Sequence, residues 1–382
     1  MDSKEYLTNR NFCPIPWTGL MYNFDGNVKN CIRSSSPIGS IQKNSIEQIL
    51  NGLQNVYTRS EMIANRSGPS CSPCYELEKE NNKFDIISDR VFYLKELKQV
   101  PLEIYKQKED FDLRTIDVRW TNLCNFSCVY CGPEFSSKWE NELKIKIDVP
   151  SDQQRQEFKE FVFDNVKNLK HVYLAGGEPL LMKENLELLE KLHNENPNVN
   201  LRINTNLSKV DSKIFELILK FKNVHWIASV ETIGKEYEYI RYGGVWHDFI
   251  DNLRVIKNLD HKISFNMLHF LLNFKSLFGC IDYLQSLGFH NNSFIIGALT
   301  NPTYFDIRHL PDAVISDVKH ELLNRINKSP GFLLENSYKN LFEHLQKPMN
   351  KNLAESLERI KIIDNRRGID SKVIFPDLYQ YE

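Results

Sequence analysis

The sequence lacks any long apolar run, and this absence limits what the chain can be. Nowhere in its 382 residues does an uninterrupted apolar stretch reach the about 20 residues that a membrane span needs. The first residues, Met1-Asp-Ser-Lys-Glu-Tyr, are polar and show no signal-peptide pattern. We therefore expect a cytoplasmic protein with no membrane partner.

The sequence also lacks an excess of charge of either sign. Its 48 Lys and Arg residues nearly balance its 50 Asp and Glu residues, which leaves a formal net charge of −2. Such a chain has no bulk attraction to nucleic acid, so we expect no nucleic-acid partner. No internal repeat or low-complexity tract is present, and the length allows a large core and more than one domain.

Cysteine is scarce, and seven of the eight cysteines fall into two sets. Three of them stand at C-x3-C-x2-C spacing in the run Thr121-Asn-Leu-Cys124-Asn-Phe-Ser-Cys128-Val-Tyr-Cys131. Three thiolates at this spacing can hold three irons of a [4Fe-4S] cluster and leave the fourth iron open to a small molecule. Zinc is the alternative, but it would need a fourth ligand nearby, and no other cysteine lies between Cys131 and the distant Cys280.

A second motif follows at about the distance of one strand and helix. The segment His171-Val-Tyr-Leu-Ala-Gly176-Gly177-Glu178-Pro179 predicts a short strand closed by two glycines. Glycine allows positive φ and a close approach of backbones. On its own, such a pair is often only a turn.

Together, the two motifs resemble those of the radical S-adenosylmethionine (SAM) enzymes. The resemblance implies that Cys124, Cys128 and Cys131 hold a [4Fe-4S] cluster whose open iron chelates the amino and carboxylate groups of SAM. It also implies that SAM is split into methionine and a 5′-deoxyadenosyl radical, which removes a hydrogen atom from the substrate. In the family, an aromatic ring at the position of Tyr130 lies near the adenine, and residues matching Gly176, Gly177 and Glu178 bind the methionine moiety.

Alternating strand and helix patterns predict an α/β fold. We predict strands at 114–122, 171–175, 200–205, 224–230, 262–269 and 293–299, with helices between them. Right-handed crossovers would make these strands parallel, as in the partial (β/α)6 barrel of the radical SAM family. A complete eight-unit barrel usually needs about 250 residues, more than this region offers.

Ligands gather at the carboxyl ends of such strands, so polar residues there are further candidates for SAM contacts. The stronger candidates are Asn206, Ser229 and Arg241, and a guanidinium suits the SAM carboxylate. Weaker candidates are Asn204, Glu231, Asn266 and His269. For each of them, an ordinary cap or turn role is the alternative.

The other cysteine set precedes the first motif and consists of Cys13, Cys31, Cys71 and Cys74. Asp25-Gly26, between the first two, predicts a hairpin turn. The set resembles the auxiliary-cluster domains called SPASM and, in shortened form, twitch, which implies a second, fully ligated [4Fe-4S] cluster. In the family these domains usually follow the core, whereas here the set precedes it. A structural zinc site is the alternative.

We therefore predict a twitch-like domain over 1–85, a bridging segment over 86–110, a radical SAM core over 111–300 and a helical extension over 301–382. The eighth cysteine, Cys280, lies in an apolar helix and is interpreted as a core residue, with a hydrogen-atom donor as the alternative.

The expected function is oxidation or rearrangement of a small polar metabolite, with the auxiliary cluster accepting or relaying an electron. A peptide-modifying maturase and a non-catalytic zinc module are the alternatives. A reductant such as flavodoxin or ferredoxin is the expected protein partner.

Anaerobic reconstitution separates a two-cluster protein from a zinc protein. We expect about eight irons per chain, the content of two four-iron clusters, measured by metal analysis. Stoichiometric zinc, with no 5′-deoxyadenosine formed from SAM and a strong reductant, would contradict this expectation.

Overall fold

The computed structural model describes residues 11–80, 88–96, 111–331 and 333–382, and it divides into two compact units. The first unit contains the described residues of Met1–Leu123 together with Lys144–Asn204 and Asp211–Val224. The second contains Cys124–Leu143, Thr205–Val210 and the described residues of His225–Glu382. Within the described ranges, no helix combines the length and apolar character that crossing a bilayer requires.

The strands of the described chain are β1 (Gly19–Tyr22), β2 (Asn27–Lys29), β3 (Gly39–Ser40), β4 (Thr115–Val118), β5 (His171–Leu174), β6 (Asn200–Thr205), β7 (Val224–Ser229), β8 (Lys262–His269) and β9 (Phe294–Ala298). The α-helices up to β7 are α1 (Ile15–Thr18), α2 (Ile46–Leu50), α3 (Leu53–Ile63), α4 (Ser72–Glu80), α5 (Asp89–Glu96), α6 (Ser137–Leu143), α7 (Asp152–Asp164), α8 (Lys183–Glu195) and α9 (Lys213–Ile218). Those after β7 are α10 (Gly234–Ile240), α11 (Trp246–Lys257), α12 (Ser276–Ser286), α13 (Asp312–Lys328), α14 (Leu333–Gln346), α15 (Leu353–Arg367), α16 (Ser371–Ile374) and α17 (Pro376–Tyr379).

The first unit contains the strand order β3-β2-β1-β4-β5-β6. β1 and β2 form the predicted antiparallel hairpin, and Gly26 in its turn has φ +79°, a conformation that favours glycine. β1 then pairs in parallel with β4, with Gly19 opposite Thr115 and Tyr22 opposite Val118. The N-terminal cysteine region therefore shares a sheet with the first predicted core strand.

Side chains alternate across this sheet. On one face, residues from β4, β5 and β6 are almost fully buried: Ile116, Val118, Val172, Leu174, Leu201 and Ile203. On the other face, Asp117 of β4 lies in register with Tyr173 of β5, which lies in register with Arg202 of β6. One face therefore forms core while the other carries polar groups.

The second unit holds the parallel strands β7, β8 and β9. Phe265 of β8 stacks on Phe294 of β9, with ring centroids 5.4 Å apart. α14 packs against β9, and the Ser337 hydroxyl accepts a hydrogen bond of 3.2 Å from the Ile296 amide. The C-terminal helices thus belong to the same packed unit as these strands.

The predicted α/β class, with a largely parallel sheet and a small N-terminal region, is confirmed, and β6 and β8 have the predicted bounds. β4 is shorter than predicted because the chain leaves the sheet after Val118. α14 lies within the helical extension predicted over 301–382, whereas α6 and α10 were not predicted individually. Of the predicted bridge over 86–110, residues 86–87 and 97–110 lie outside the described residues, and the part between them contains helix α5. The predicted domain boundaries remain a prediction.

An aromatic cluster holds β1 in the first unit. The Tyr22 ring stacks on Phe158 of α7 at 4.6 Å and lies 5.6 Å from the ring of Trp120. All three side chains are at most 1% exposed. Aromatic burial at this position therefore stabilises the junction of β1 with β4.

Replacing Phe158 by Ala should lower the free energy of unfolding by about 3–5 kcal/mol, because a large cavity would remain. Denaturant unfolding followed by circular dichroism measures this change. The control is Leu53→Ala, whose side chain is 90% exposed, and which should stay within about 0.5 kcal/mol of the parent chain. A cost for Phe158→Ala as small as the control's would contradict the assigned role.

Candidate functional site

The three cysteines of the first motif lie on a turn at the start of the second unit. Cys128 is buried, while Cys124 and Cys131 are half-buried. The Cys131 amide donates a hydrogen bond of 3.0 Å to the Cys128 carbonyl, and the Phe126 amide lies 3.4 Å from the Cys124 sulfur. These contacts fold the segment tightly around its own sulfurs.

The three thiols also interact electrostatically. Burial raises the pKa of Cys131, and the neighbouring thiols of Cys128 and Cys124 raise it further. Burial likewise raises the pKa of Cys128, while the Arg241 cation opposes that shift. Repulsion between neighbouring thiolates opposes their ionisation, and positive metal ions would offset this repulsion. The three cysteines therefore fit as ligands of the irons of a cluster.

The segment before α11 lies against the cysteine turn. The Ser127 amide donates to the Tyr242 carbonyl at 2.9 Å, and the Val129 amide donates to the Ile240 carbonyl at 2.8 Å. A Cβ at Gly243, where φ is +106°, would lie 2.9 Å from the Asn125 carbonyl oxygen. Glycine at this position permits the close approach of the two backbones.

Tyr130, Glu231 and Arg241 form one hydrogen-bonded group. Arg241 Nη1 lies 2.6 Å from the Tyr130 hydroxyl and 3.0 Å from both Glu231 carboxylate oxygens. The Tyr130 hydroxyl donates to Glu231 at 2.9 Å, and burial raises the Tyr130 pKa well above its usual value. The predicted contact Arg241 is therefore already ion-paired, although its buried Nε has no hydrogen-bond partner among the described residues.

Asn206 lies beside the cysteine turn. Its Nδ2 donates to Asn125 Oδ1 at 3.0 Å, and Asn125 Nδ2 donates to Ser208 at 2.9 Å. These residues line a cavity of about 180 Å³, together with Gly243 and Asp248 among others. Asn206 is thus hydrogen-bonded to Asn125, which lies between Cys124 and Cys128 in the sequence.

The remaining strand-end candidates have different surroundings. Ser229 is half-buried at the end of β7, in register with the exposed Asn266 of β8. His269 is buried, its Nε2 lies 3.2 Å from the Phe274 carbonyl, and burial lowers its pKa to about 4. In the described part of the first unit, the Oδ1 of Asn204 is buried without a hydrogen-bond partner.

The Gly-Gly-Glu segment belongs to the first unit. Gly176 has φ +110°, and a Cβ on Gly177 would lie 2.3 Å from the Leu123 carbonyl oxygen. The Glu178 amide donates to that same carbonyl at 2.7 Å, and its buried carboxylate accepts from the Leu180 amide at 3.1 Å. Both glycines are therefore required by the backbone itself.

The four N-terminal cysteines also face one another, in the first unit. Burial raises the pKa of Cys13, and the thiols of Cys31, Cys71 and Cys74 raise it further. Burial together with neighbouring thiols raises the pKa of Cys31 to about 12 and that of Cys71 to about 11. A compact group of four thiols fits a fully ligated cluster.

A small apolar core holds two of these sulfurs in place. Phe12, Trp17 and Met62 are buried, and both Cys13 and Cys71 pack against them. Across the described residues, no three Cys, His, Asp or Glu side chains are grouped as ligands of a single metal ion.

Comparison with protein families identifies both regions. Residues 118–284 match the model of the radical SAM superfamily, and residues 13–75 match the model of the SPASM iron-sulfur cluster-binding domain. The chain therefore contains a radical SAM domain preceded by a SPASM domain, as the cysteine motifs predicted. These domains imply the predicted cofactors, namely SAM, its [4Fe-4S] cluster and an auxiliary cluster.

Curated relatives match over shorter stretches. The GTP 3′,8-cyclase of Aliarcobacter butzleri is 25% identical over 178 residues, which cover 44% of this chain and 51% of the relative. That of Helicobacter pylori is 36% identical over 92 residues, which cover 24% and 26%. The chain thus spans about half the length of these relatives or less.

Among solved structures, Streptococcus suis SuiB bound to precursor peptide SuiA has a TM-score of 0.43 and 15% identity, covering 75% of this chain and 64% of that one.

The sequence analysis missed several residues around the cysteine turn. Trp139 and Glu142 of α6 and Arg367 of α15 contact the turn, but nothing in the sequence sets them apart from ordinary helix residues. Asn125 is different, because its place between Cys124 and Cys128 is a signal that the sequence does contain.

Gly177→Ala should strain the turn, since its Cβ would meet the Leu123 backbone at 2.3 Å. We expect unfolding to become easier by about 1–3 kcal/mol, the usual cost of overpacking, and SAM binding to weaken. Denaturant unfolding and SAM titration of the reconstituted protein measure the two effects.

Gly279→Ala is the matched control, because a Cβ there meets no atom within 4 Å and the residue lies in α12. This variant should be as stable as the parent chain or slightly more stable. Equal behaviour of the two alanine variants would contradict the close approach of Gly177 to Leu123.

Proposed function

We propose that this chain is a radical SAM enzyme that oxidises or rearranges a small polar metabolite. The observation that carries the proposal is the turn that brings Cys124, Cys128 and Cys131 within electrostatic reach of one another. Three thiolates leave one iron of a four-iron cluster without a protein ligand. When bound, that cluster and SAM supply a 5′-deoxyadenosyl radical that removes a hydrogen atom from the substrate.

The protein's own task at this site is to hold the cysteine turn and to orient SAM. Gly176, Gly177 and Glu178 are proposed to bind the methionine moiety, and the ring of Tyr130 to lie near the adenine. Asn206, Ser229 and Arg241 are proposed as further SAM contacts. For Arg241 the free donor is the buried Nε, because Nη1 is already bound to Glu231.

The auxiliary set has a different role. Four thiols, Cys13, Cys31, Cys71 and Cys74, would occupy all four irons of a second cluster, so no iron there is left for substrate. We propose that this cluster accepts or relays an electron. Two of its proposed ligands, Cys13 and Cys71, pack against the apolar side chains of Phe12, Trp17 and Met62, and such surroundings would tune the potential of a bound cluster.

Polar groups on the sheet of the first unit support a small polar substrate. Arg119 lies 3.3 Å from Asp117, and the Arg202 guanidinium lies 5.3 Å from the centre of the Tyr173 ring. Asp117, Tyr173 and Arg202 come from neighbouring strands and stand opposite the apolar face of the sheet, and Arg119 directly follows β4. Their charged and hydrogen-bonding groups suit a polar metabolite better than an apolar peptide.

The names of the curated relatives agree with this substrate class, since GTP is a small polar metabolite. Those names describe cyclases, so rearrangement is as consistent with them as oxidation. The mass of the product distinguishes the two reactions, because oxidation removes two hydrogens and rearrangement removes none.

Variants of the two cysteine sets test whether the first set serves SAM cleavage and the second set serves the later electron transfer. Cys128→Ala should reduce 5′-deoxyadenosine formation to background, because the SAM cluster loses a ligand. Cys71→Ala should retain SAM cleavage but lose product formation. Chromatography of 5′-deoxyadenosine with dithionite as reductant measures the first activity, and mass spectrometry of treated metabolites measures the second.

Cys280→Ala is the control, because this buried thiol lies outside both sets. As a core residue it should leave both activities unchanged, whereas loss of product with SAM cleavage retained would make it a hydrogen-atom donor. Full 5′-deoxyadenosine formation by Cys128→Ala would refute the proposed function. Product formed only from the peptide fraction of a cell extract would replace the metabolite with a peptide substrate. Flavodoxin and ferredoxin can be compared as electron donors in the same assay.

A further inference from the structure

Arg367 is a buried cation at the end of α15, far outside the part of the chain that matches the radical SAM model. Its side chain is only 1% exposed. The helix ends directly after it, where Gly368 adopts φ +64° and the left-handed conformation typical of a helix C-terminus. The guanidinium therefore lies at the end of the helix, in the interior of the second unit.

The guanidinium contacts the cysteine turn directly. Its Nη2 donates to the Ser127 carbonyl at 2.7 Å, and its Nε donates to a Glu142 carboxylate oxygen at 3.1 Å. The guanidinium carbon lies 4.2 Å from the centre of the Tyr242 ring and 4.8 Å from that of Trp139. A planar cation held by a carboxylate and two aromatic rings has one fixed orientation.

Three consecutive backbone carbonyls between the first and third cysteines accept hydrogen bonds from side chains. The pairs are Phe126 with the Ser136 hydroxyl at 2.5 Å, Ser127 with Arg367 at 2.7 Å, and Cys128 with Trp139 Nε1 at 2.8 Å. Two of these donors lie on or next to α6, which adjoins the turn in sequence. Arg367 is the donor from the C-terminal region, so that region fixes the backbone that carries the cysteines.

We infer that Arg367 is a positioning residue for the SAM-binding cluster. It holds the Ser127 carbonyl, and with it the spacing of Cys124 and Cys128, and it places a buried positive charge beside the cluster ligands. The inference rests on the proposed function, and it assigns the C-terminal region a part in SAM chemistry that neither domain match covers.

Arg367→Met tests the inference, with Arg366→Met as the matched control. Arg366 is the neighbouring arginine, but it is 33% exposed and 4.0 Å from Glu142. In Arg367→Met we expect the iron content to be retained. SAM binding is followed by the change that SAM causes in the electron paramagnetic resonance spectrum of the reduced cluster. The SAM concentration that gives half of this change should rise about 10-fold, which corresponds to the loss of one hydrogen bond to a charged group. The midpoint potential of this cluster should become more negative, whereas that of the auxiliary cluster should not change. The control should stay within about twofold of the parent chain.

A double variant, Arg367→Met with Glu142→Gln, keeps the test valid if the single variant does not fold, because it leaves no buried carboxylate unpaired. We expect its potential to return towards that of the parent chain while SAM binding stays weak, since the Ser127 carbonyl still lacks its donor. Parent-like SAM binding in Arg367→Met, or unfolding of both variants, would overturn the inference. If the unsubstituted chain shows no spectral change with SAM, the proposed function fails instead.

Discussion

The site depends on how completely the backbone between Cys124 and Cys131 is hydrogen-bonded. A buried peptide group without a partner costs free energy, so a partly buried turn persists only when its amides and carbonyls find donors and acceptors nearby. Here the partners come from α6, from the segment before α11 and from α15. These hydrogen bonds hold the peptide groups around the sulfurs in place, and so they maintain the spacing of the sulfurs.

Charge near the turn is arranged in compensated groups. Arg241 and Glu231 are both buried and form an ion pair, and Arg367 pairs with Glu142. An isolated ion at such depth would be strongly unfavourable, whereas paired ions that also hydrogen-bond neighbours are tolerated. Each of these two buried arginines is therefore paired with a carboxylate, which allows it to lie close to the cysteine turn.

Short-range patterns made much of this fold predictable. Cysteine spacing and the glycine pair each lie within a dozen residues, and the apolar strands have the alternation or length expected of a parallel sheet. The contacts of Arg367 and the pairing of β1 with β4 join residues far apart in the chain. Such contacts arise from packing, and neither Arg367 nor Tyr22 differs in sequence from residues of the same type elsewhere. Glu231 was placed among the weaker candidates for the same reason, because its partner became visible only in three dimensions.

The parallel pairing of β1 with β4 has a consequence for the order in which the chain matures. During synthesis the N-terminal residues leave the ribosome before Thr115–Val118. The hairpin of β1 and β2 is therefore made before β4, the strand with which β1 pairs in the sheet. The same dependence applies in reverse, because a chain shortened at its N-terminus would expose the edge of β4, and open edges recruit strands from other molecules. The SPASM region thus covers the edge of β4 as well as carrying the second set of cysteines.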